Sequence, residues 1–172
     1  REMSGQLGVS RGEIEKAFKG WTVTSGAKKE IAAAAASPKS GIYLIDRPGS
    51  LQSVIMAGHT APPKADKMDI AIDMMNQLLG ESFTSRINMN IRDEKHWSYG
   101  ASSYILDTLG ERPFIVQTSV QSDKTKEAVS EILKEIKDIL AEKPITEEEY
   151  SKVLKNKVLE LPGRWETMDA IQ

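Results

Sequence analysis

The side chains that could do chemistry in this sequence are few and scattered. There are two histidines, His59 after an expected strand and His96 in an expected helix-to-strand loop. A metal-dependent hydrolase would need clustered ligands, typically two histidines four apart on one helical face with a glutamate beside them. Neither histidine has a second within a few positions, so each reads as a solvated or hydrogen-bonded side chain, and spacing lends a joint zinc site no support. Ser98, Ser102 and Ser103 fall in a segment that favours strand, without a Gly-x-Ser-x-Gly elbow or an obvious base for nucleophilic catalysis. Gly5-Gln6-Leu7-Gly8 lacks the Lys-Ser/Thr or third glycine of a phosphate cradle and reads as a turn. Glu147-Glu148-Glu149 could attract a cation, but at a helix N-terminus the three carboxylates have a sufficient reason in complementing the helix dipole.

Composition narrows the field further. The 172 residues include 23 Lys plus Arg against 25 Asp plus Glu, a net charge of −2, and no cysteine. Disulfides, Cys-based zinc knuckles, iron–sulfur clusters and a catalytic thiol are excluded. A nearly neutral chain gives no electrostatic footprint for nucleic acid, so no nucleic-acid partner is expected. No apolar run approaches the ~20 residues that span a bilayer, so no transmembrane segment is expected. A hydrophobic content of 40% suits a globular interior, and the length suits one domain whose core needs no staples. With Arg1 at one end and no helix stop signal at the other, residues 1–172 read as a single lobe of a longer polypeptide.

The elements that must position any site follow from periodicity. Ile14, Ala17, Phe18 and Trp21 recur at helical spacing. Ile42, Leu44 and Asp46 alternate with Tyr43 and Ile45, Arg47-Pro48-Gly49-Ser50 fits a type II turn, and Leu51 to Gly58 returns as a strand. That strand is apolar on both faces, which predicts a central, covered position. Met68, Ala71, Ile72, Met75, Leu78 and Leu79 predict a helix closing at Gly80. Met68, Met74 and Met75 make it methionine-rich, which fits tolerant core packing better than a substrate groove. Phe83, Ile87 and Ile91 predict a shorter helix from about Ser82 to Asp93. Ser98 to Leu106 and Phe114 to Val120 read as a second hairpin around Gly110-Glu111-Arg112-Pro113. Val129, Ile132, Leu133, Ile136, Ile139 and Leu140 mark a long helix starting near Ser122 or Asp123. Thr146 with Glu149 forms a capping box that opens a last helix, which Leu161-Pro162-Gly163 breaks. The expected fold is α+β: a largely antiparallel sheet of two hairpins, covered on one face by helices.

One stretch carries more than periodicity, the run from Phe83-Thr84-Ser85-Arg86-Ile87 through Ile91-Arg92-Asp93 to Trp97-Ser98-Tyr99-Gly100. It resembles the helix-and-strand signature of the pitrilysin/insulinase family of zinc metallopeptidases, where a Ser-Arg opens a helix, an Arg ends it and a Tyr begins the next strand. The helix from Ala71 to Gly80, the Leu44-Ile45-Asp46-Arg47-Pro48-Gly49 hairpin leading to Gln52, Glu15-Lys16-Ala17-Phe18 with Trp21, and Leu161-Pro162-Gly163-Arg164 resemble family features in the same order. The spacing of Arg92 and Tyr99 is the most specific part. The chain departs from the pattern where the family often has a run of glycines, here Gly80-Glu81-Ser82, and where it often has Gly-Leu before the Tyr, here Trp97-Ser98.

The resemblance implies a lobe of the mitochondrial-processing-peptidase-like architecture. In that family one lobe carries an inverted zinc motif, His-x-x-Glu-His, and a different lobe delivers an Arg and a Tyr to the same cleft. This sequence resembles the second kind and has no such motif. It implies a chain that binds no cofactor itself and is not catalytically competent alone, with zinc in a partner lobe of the same polypeptide or of another subunit, and a peptide as substrate. On that reading Tyr99 would donate a hydrogen bond to the oxygen that gains charge during attack on a peptide carbonyl. Arg92 would grip backbone carbonyls or a carboxylate with its fork of donors. The alternative is a non-catalytic scaffold or assembly subunit of the same architecture, with Arg92 paired to Asp93 or Glu94 and Tyr99 merely packed. Larger bacterial relatives imply a cell-envelope or periplasmic location.

Overall fold

A computed structural model describes residues 8, 10–22, 26, 39–64, 66–108, 110–163 and 166 of the chain. The alanine run at 31–36, Gly5-Gln6-Leu7 and Arg164 lie outside the described residues. The chain divides into two compact units, Arg1–Ile31 and Ala32–Gln172. The first holds helix α1 (Arg11–Phe18), opened by a capping box in which Ser10 and Glu13 satisfy each other's backbone N–H groups. Hydrogen bonds from the Ser10 hydroxyl and then its backbone N–H hold the Glu13 carboxyl below its ordinary range. Phe18 and Trp21 stack with ring centroids 5.1 Å apart and stay largely exposed.

The second unit is built on an antiparallel sheet of β1 (Gln52–Ala61), β2 (Ala101–Ile105) and β3 (Arg112–Gln121), in the order β1-β3-β2. Strand β3 shows why it takes the centre. Its even-numbered residues Arg112, Phe114, Val116, Thr118 and Val120 are all buried while the odd ones are not, the period-2 pattern of a sheet with one face on a core. It pairs with β2 as the expected hairpin, from Ala101 opposite Thr118 to Ile105 opposite Phe114. On its other side β1 runs antiparallel from Gln52 opposite Gln121 to Ala61 opposite Arg112.

Two sequence expectations are corrected here. The first hairpin does not form. The type II turn is present, with Gly49 at φ +81° and Ser50 N–H donating to Arg47 O at 3.1 Å. The stretch before it, however, has no ladder partner, and Ile42, Tyr43, Leu44 and Ile45 are 84–95% exposed. Strand β1 is an edge of the described sheet rather than its centre, and its second apolar row, Val54 and Met56, lies open. An apolar pattern on both faces shows what a strand needs but not where it lies, and β3 takes the place between two neighbours instead.

Helices cover the other face. Helix α2 runs as α-helix over Asp69–Asn76 and widens to a π turn at Gln77–Glu81. Helix α3 does the same, Arg86–Asn88 followed by Met89–Glu94. A short 3₁₀ turn, Ser122–Lys124, leads into α4 (Thr125–Asp138), and α5 spans Glu147–Glu160. Leu79, Ile87, Ile91, Ala128 and Ile132 meet Ile55, Phe114, Val116 and Val120 in one core, against which Met75 and Trp97 pack. Ile87 and Ile91 are fully buried; truncating such side chains typically costs ~2–5 kcal/mol, so α3 is held by its apolar face.

Gly80, a helix stop by its place in the sequence, has a different role in the structure. The helix passes through it to Glu81. A Cβ at Gly80 would lie 2.2 Å from Ser103 Oγ and 2.7 Å from both Ser103 Cβ and Ser103 N. Glycine is needed so that α2 can approach the backbone of β2. Ser103 Oγ in turn donates to the buried Asn76 Oδ1 at 2.7 Å.

Candidate functional site

The site grows from Ser85 and Arg86. Ser85 takes an extended backbone at the N-cap of α3, and Arg86 then ties the helix to the start of α5. Its Nε and Nη2 donate to the two carboxylate oxygens of Glu149 at 2.8 and 2.7 Å. Nη1 donates to Lys143 O, and Nη2 also to Pro144 O at 3.1 Å. Glu149 is at the same time the N3 residue of the Thr146 capping box, so this carboxylate does more than offset a helix dipole. Arg86, chiefly, and the Thr146 donors hold its pKa at about 2, while the Arg86 guanidinium is raised by the same bond.

A carboxyl whose folded pKa lies below its ordinary value stabilises the fold above that ordinary value, and the contribution is lost as pH falls toward the folded value. Wild type is therefore expected to lose about 1–2 kcal/mol through this pair between roughly pH 5 and pH 2, after allowing for solvent screening. An Arg86→Gln variant should start less stable at neutral pH and show a flatter acid limb in urea melts across that window. Parallel limbs for the two proteins would remove the pair as the cause.

Beyond Arg86, asparagines fix the helix where apolar packing cannot. Asn88 Nδ2 donates to Phe83 O at 2.6 Å, and Asn88 Oδ1 accepts from Ala101 N–H at 3.0 Å. Asn90 Nδ2 donates to Glu131 and Glu135 of α4 at 3.0 and 2.7 Å. After Asn88 the helix widens: Lys95 N–H donates to Asn90 O, five residues back. Arg92 leaves from this wide turn. Its Nη1 is 3.2 Å from Asp93 Oδ1, and its Cζ stands 4.3 Å from the Phe83 ring centroid. The turn ends at His96, whose φ of +56° is the left-handed conformation common at helix ends.

Tyr99 sits at the apex of the next turn. Ser98 Oγ accepts from Gly100 N–H at 3.1 Å, and Thr118 Oγ1 lies 3.0 Å from Ser98 Oγ and 2.9 Å from Gly100 O. With Trp97 O accepting from Gln121 N–H at 3.1 Å, the backbone is tied to the central strand at Trp97 and at Gly100, on either side of Tyr99, which is itself 93% exposed. Among the described residues its hydroxyl has no hydrogen-bond partner; the scaffold alternative is thus met in the Arg92–Asp93 pair but not in a packed Tyr99. Two shallow depressions meet at it. One, about 350 Å³, lies over the open sheet face beside Gln52, Ser102, Gln117 and Ser119. The other, about 360 Å³, is walled by Phe83 with Gly80, Ser82, Asn88 and Ala101.

Neither histidine lines either depression. His59 Nδ1 lies 2.7 Å from Thr60 O, and His96 Nδ1 lies 3.2 Å from Arg92 O. Among the described residues no group of three or more His, Cys, Asp or Glu is placed to hold a metal ion. No helix among them is long and apolar enough to cross a membrane.

The family model for the peptidase M16 inactive domain matches residues 12–157. The chain belongs to the peptidase M16 inactive-domain family. Solved structures agree on the fold. The peptidase M16 inactive domain from Pseudomonas fluorescens superposes with a TM-score of 0.60 at 18% identity, over 63% of this chain and 26% of that one. A protease from Helicobacter pylori gives 0.64 at 21% identity, over 73% of this chain and 30% of that one. A conserved protein from Enterococcus faecalis V583 gives 0.75 at 22% identity, over 94% and 38%. The M16 domain described here thus spans well under half the length of these solved chains. No relative matches among curated proteins.

Sequence reasoning reached Arg86, Arg92 and Tyr99 through the family signature, but missed Phe83 as the partner of Arg92 and Asn88 as the clasp between α3 and β2. Asn88 had a signal. An asparagine beside Ile87 on a helical core face points to a side chain bonded to backbone.

Proposed function

We propose that this M16 inactive domain is the substrate-binding and structural lobe of a zinc-dependent endopeptidase, contributing Arg92 and Tyr99 to a cleft whose zinc site lies in another lobe. One observation carries the reading: a tyrosine side chain free in solvent on a backbone locked at Ser98, Gly100 and Thr118. Tyr99 presents a donor to a peptide carbonyl oxygen, in a bond that strengthens as that oxygen gains negative charge. Arg92 keeps guanidinium N–H groups beyond the one facing Asp93, and with them holds peptide carbonyls or a carboxylate next to the depression shared by Phe83 and Tyr99. The hydrolytic step itself belongs to the partner lobe, in the same polypeptide or another subunit.

A second reading, a non-catalytic scaffold or assembly lobe, has its own support in the pairing of Arg92 with Asp93 at 3.2 Å. Substitution of Arg92 and of Tyr99 in the full-length enzyme, or in this lobe reunited with its partner, separates the two. Cleavage of an extended peptide should fall in both variants; unchanged cleavage in both leaves the assembly reading standing.

A further inference from the structure

We infer that Phe83 is a positioning residue for Arg92: its ring is the platform that holds the guanidinium beside the Tyr99 depression, and Asn88 fixes that platform relative to Tyr99. The inference rests on the reading of Arg92 as a peptide-binding group. Phe83 lies in the turn between α2 and α3 and is 68% exposed, so core packing does not account for a large aromatic there. What it touches does: Arg92 Cζ is 4.3 Å from its centroid, well inside the ~6 Å over which a ring face attracts a cation.

Asp93 alone would leave Arg92 loosely placed, because a neighbouring surface carboxylate restrains a long side chain at only one end. A ring beneath the guanidinium restrains it on a face and leaves N–H groups directed along its edges. The platform is itself anchored. The side chain of Asn88, only 4% exposed, accepts from Ala101 N–H and donates to Phe83 O. Ala101 is two residues beyond Tyr99, so one amide sets the spacing between the two walls of the depression that Phe83, Asn88 and Tyr99 line together.

Steady-state cleavage of a peptide by the full-length enzyme tests the inference with Phe83→Leu, Phe83→Tyr, Arg92→Ala and the Phe83→Leu/Arg92→Ala pair. Phe83→Leu should raise KM about fivefold with kcat within about twofold, and Phe83→Tyr should restore wild-type KM by restoring a ring face. In the Arg92→Ala background Phe83→Leu should add nothing. If Arg92→Ala raises KM and Phe83→Leu does not, Arg92 binds substrate without its platform and the inference is overturned. If Arg92→Ala changes neither constant, the reading of Arg92 fails and the inference falls with it. Phe83→Met, aliphatic and close in volume, carries the same expectation as Phe83→Leu should that variant melt below wild type.

Discussion

On the proposed reading, replacing Tyr99 by phenylalanine in the full-length protein is expected to lower kcat for peptide cleavage about a hundredfold, the worth of ~3 kcal/mol for one transition-state donor, with KM within about twofold. The substitution is unusually clean. The ring stays, the backbone is held by Ser98, Gly100 and Thr118 without help from the hydroxyl, and no described residue loses a partner. Only the O–H is removed. A hydroxyl that merely helped to hold substrate would raise KM and spare kcat, so the split between the two constants separates the proposed role from general binding. Equal kcat in both proteins would end the case for Tyr99 as a transition-state donor.

Gly80→Ala should cost about 3 kcal/mol of stability, at the upper end of what overpacking by one methyl usually costs. Space can be made at three points in principle, and each is closed. Ser103 Oγ, 2.2 Å from the new methyl, is fixed by Asn76. Ser103 Cβ and N, both at 2.7 Å, belong to a strand paired with the centre of the sheet. Adding Ser103→Ala removes only the first clash, so it should recover part of the loss and no more. Gly163→Ala, where a Cβ would meet nothing within 4 Å, is the matched control and should change little. Urea melts of the four proteins check this, and a Gly80→Ala variant as stable as the Gly163→Ala control would contradict the close approach.

These two positions mark the boundary of what the chain of letters discloses. The helices were readable because Met75, Leu79, Ile87, Ile91 and Ile132 recur at the spacing of one buried face, and the β2–β3 hairpin because Phe114, Val116 and Val120 alternate toward that same core. Thr146 with Glu149 announced α5 by a local rule that the structure keeps. What stayed hidden depends on distant partners. Gly80 looked like a stop because its neighbour Ser103 lies on another element. Arg86 looked like a motif letter until Glu149 of α5 met it, and Arg92 gained its ring only through a wide turn that no periodicity encodes. The strand order failed for the same reason, since Leu51 to Gly58 shows its faces but not its neighbours.

The unpaired run before the type II turn bears on how this lobe's stability should be measured. Burying four side chains such as Ile42, Tyr43, Leu44 and Ile45 is worth on the order of 6–10 kcal/mol before the cost of ordering the cover is subtracted. Any chain that covers them and ignores the unfolded state raises the melting point by mass action. A melting temperature for these residues is then a titration curve in disguise, fixed only once the concentration of the covering chain is stated.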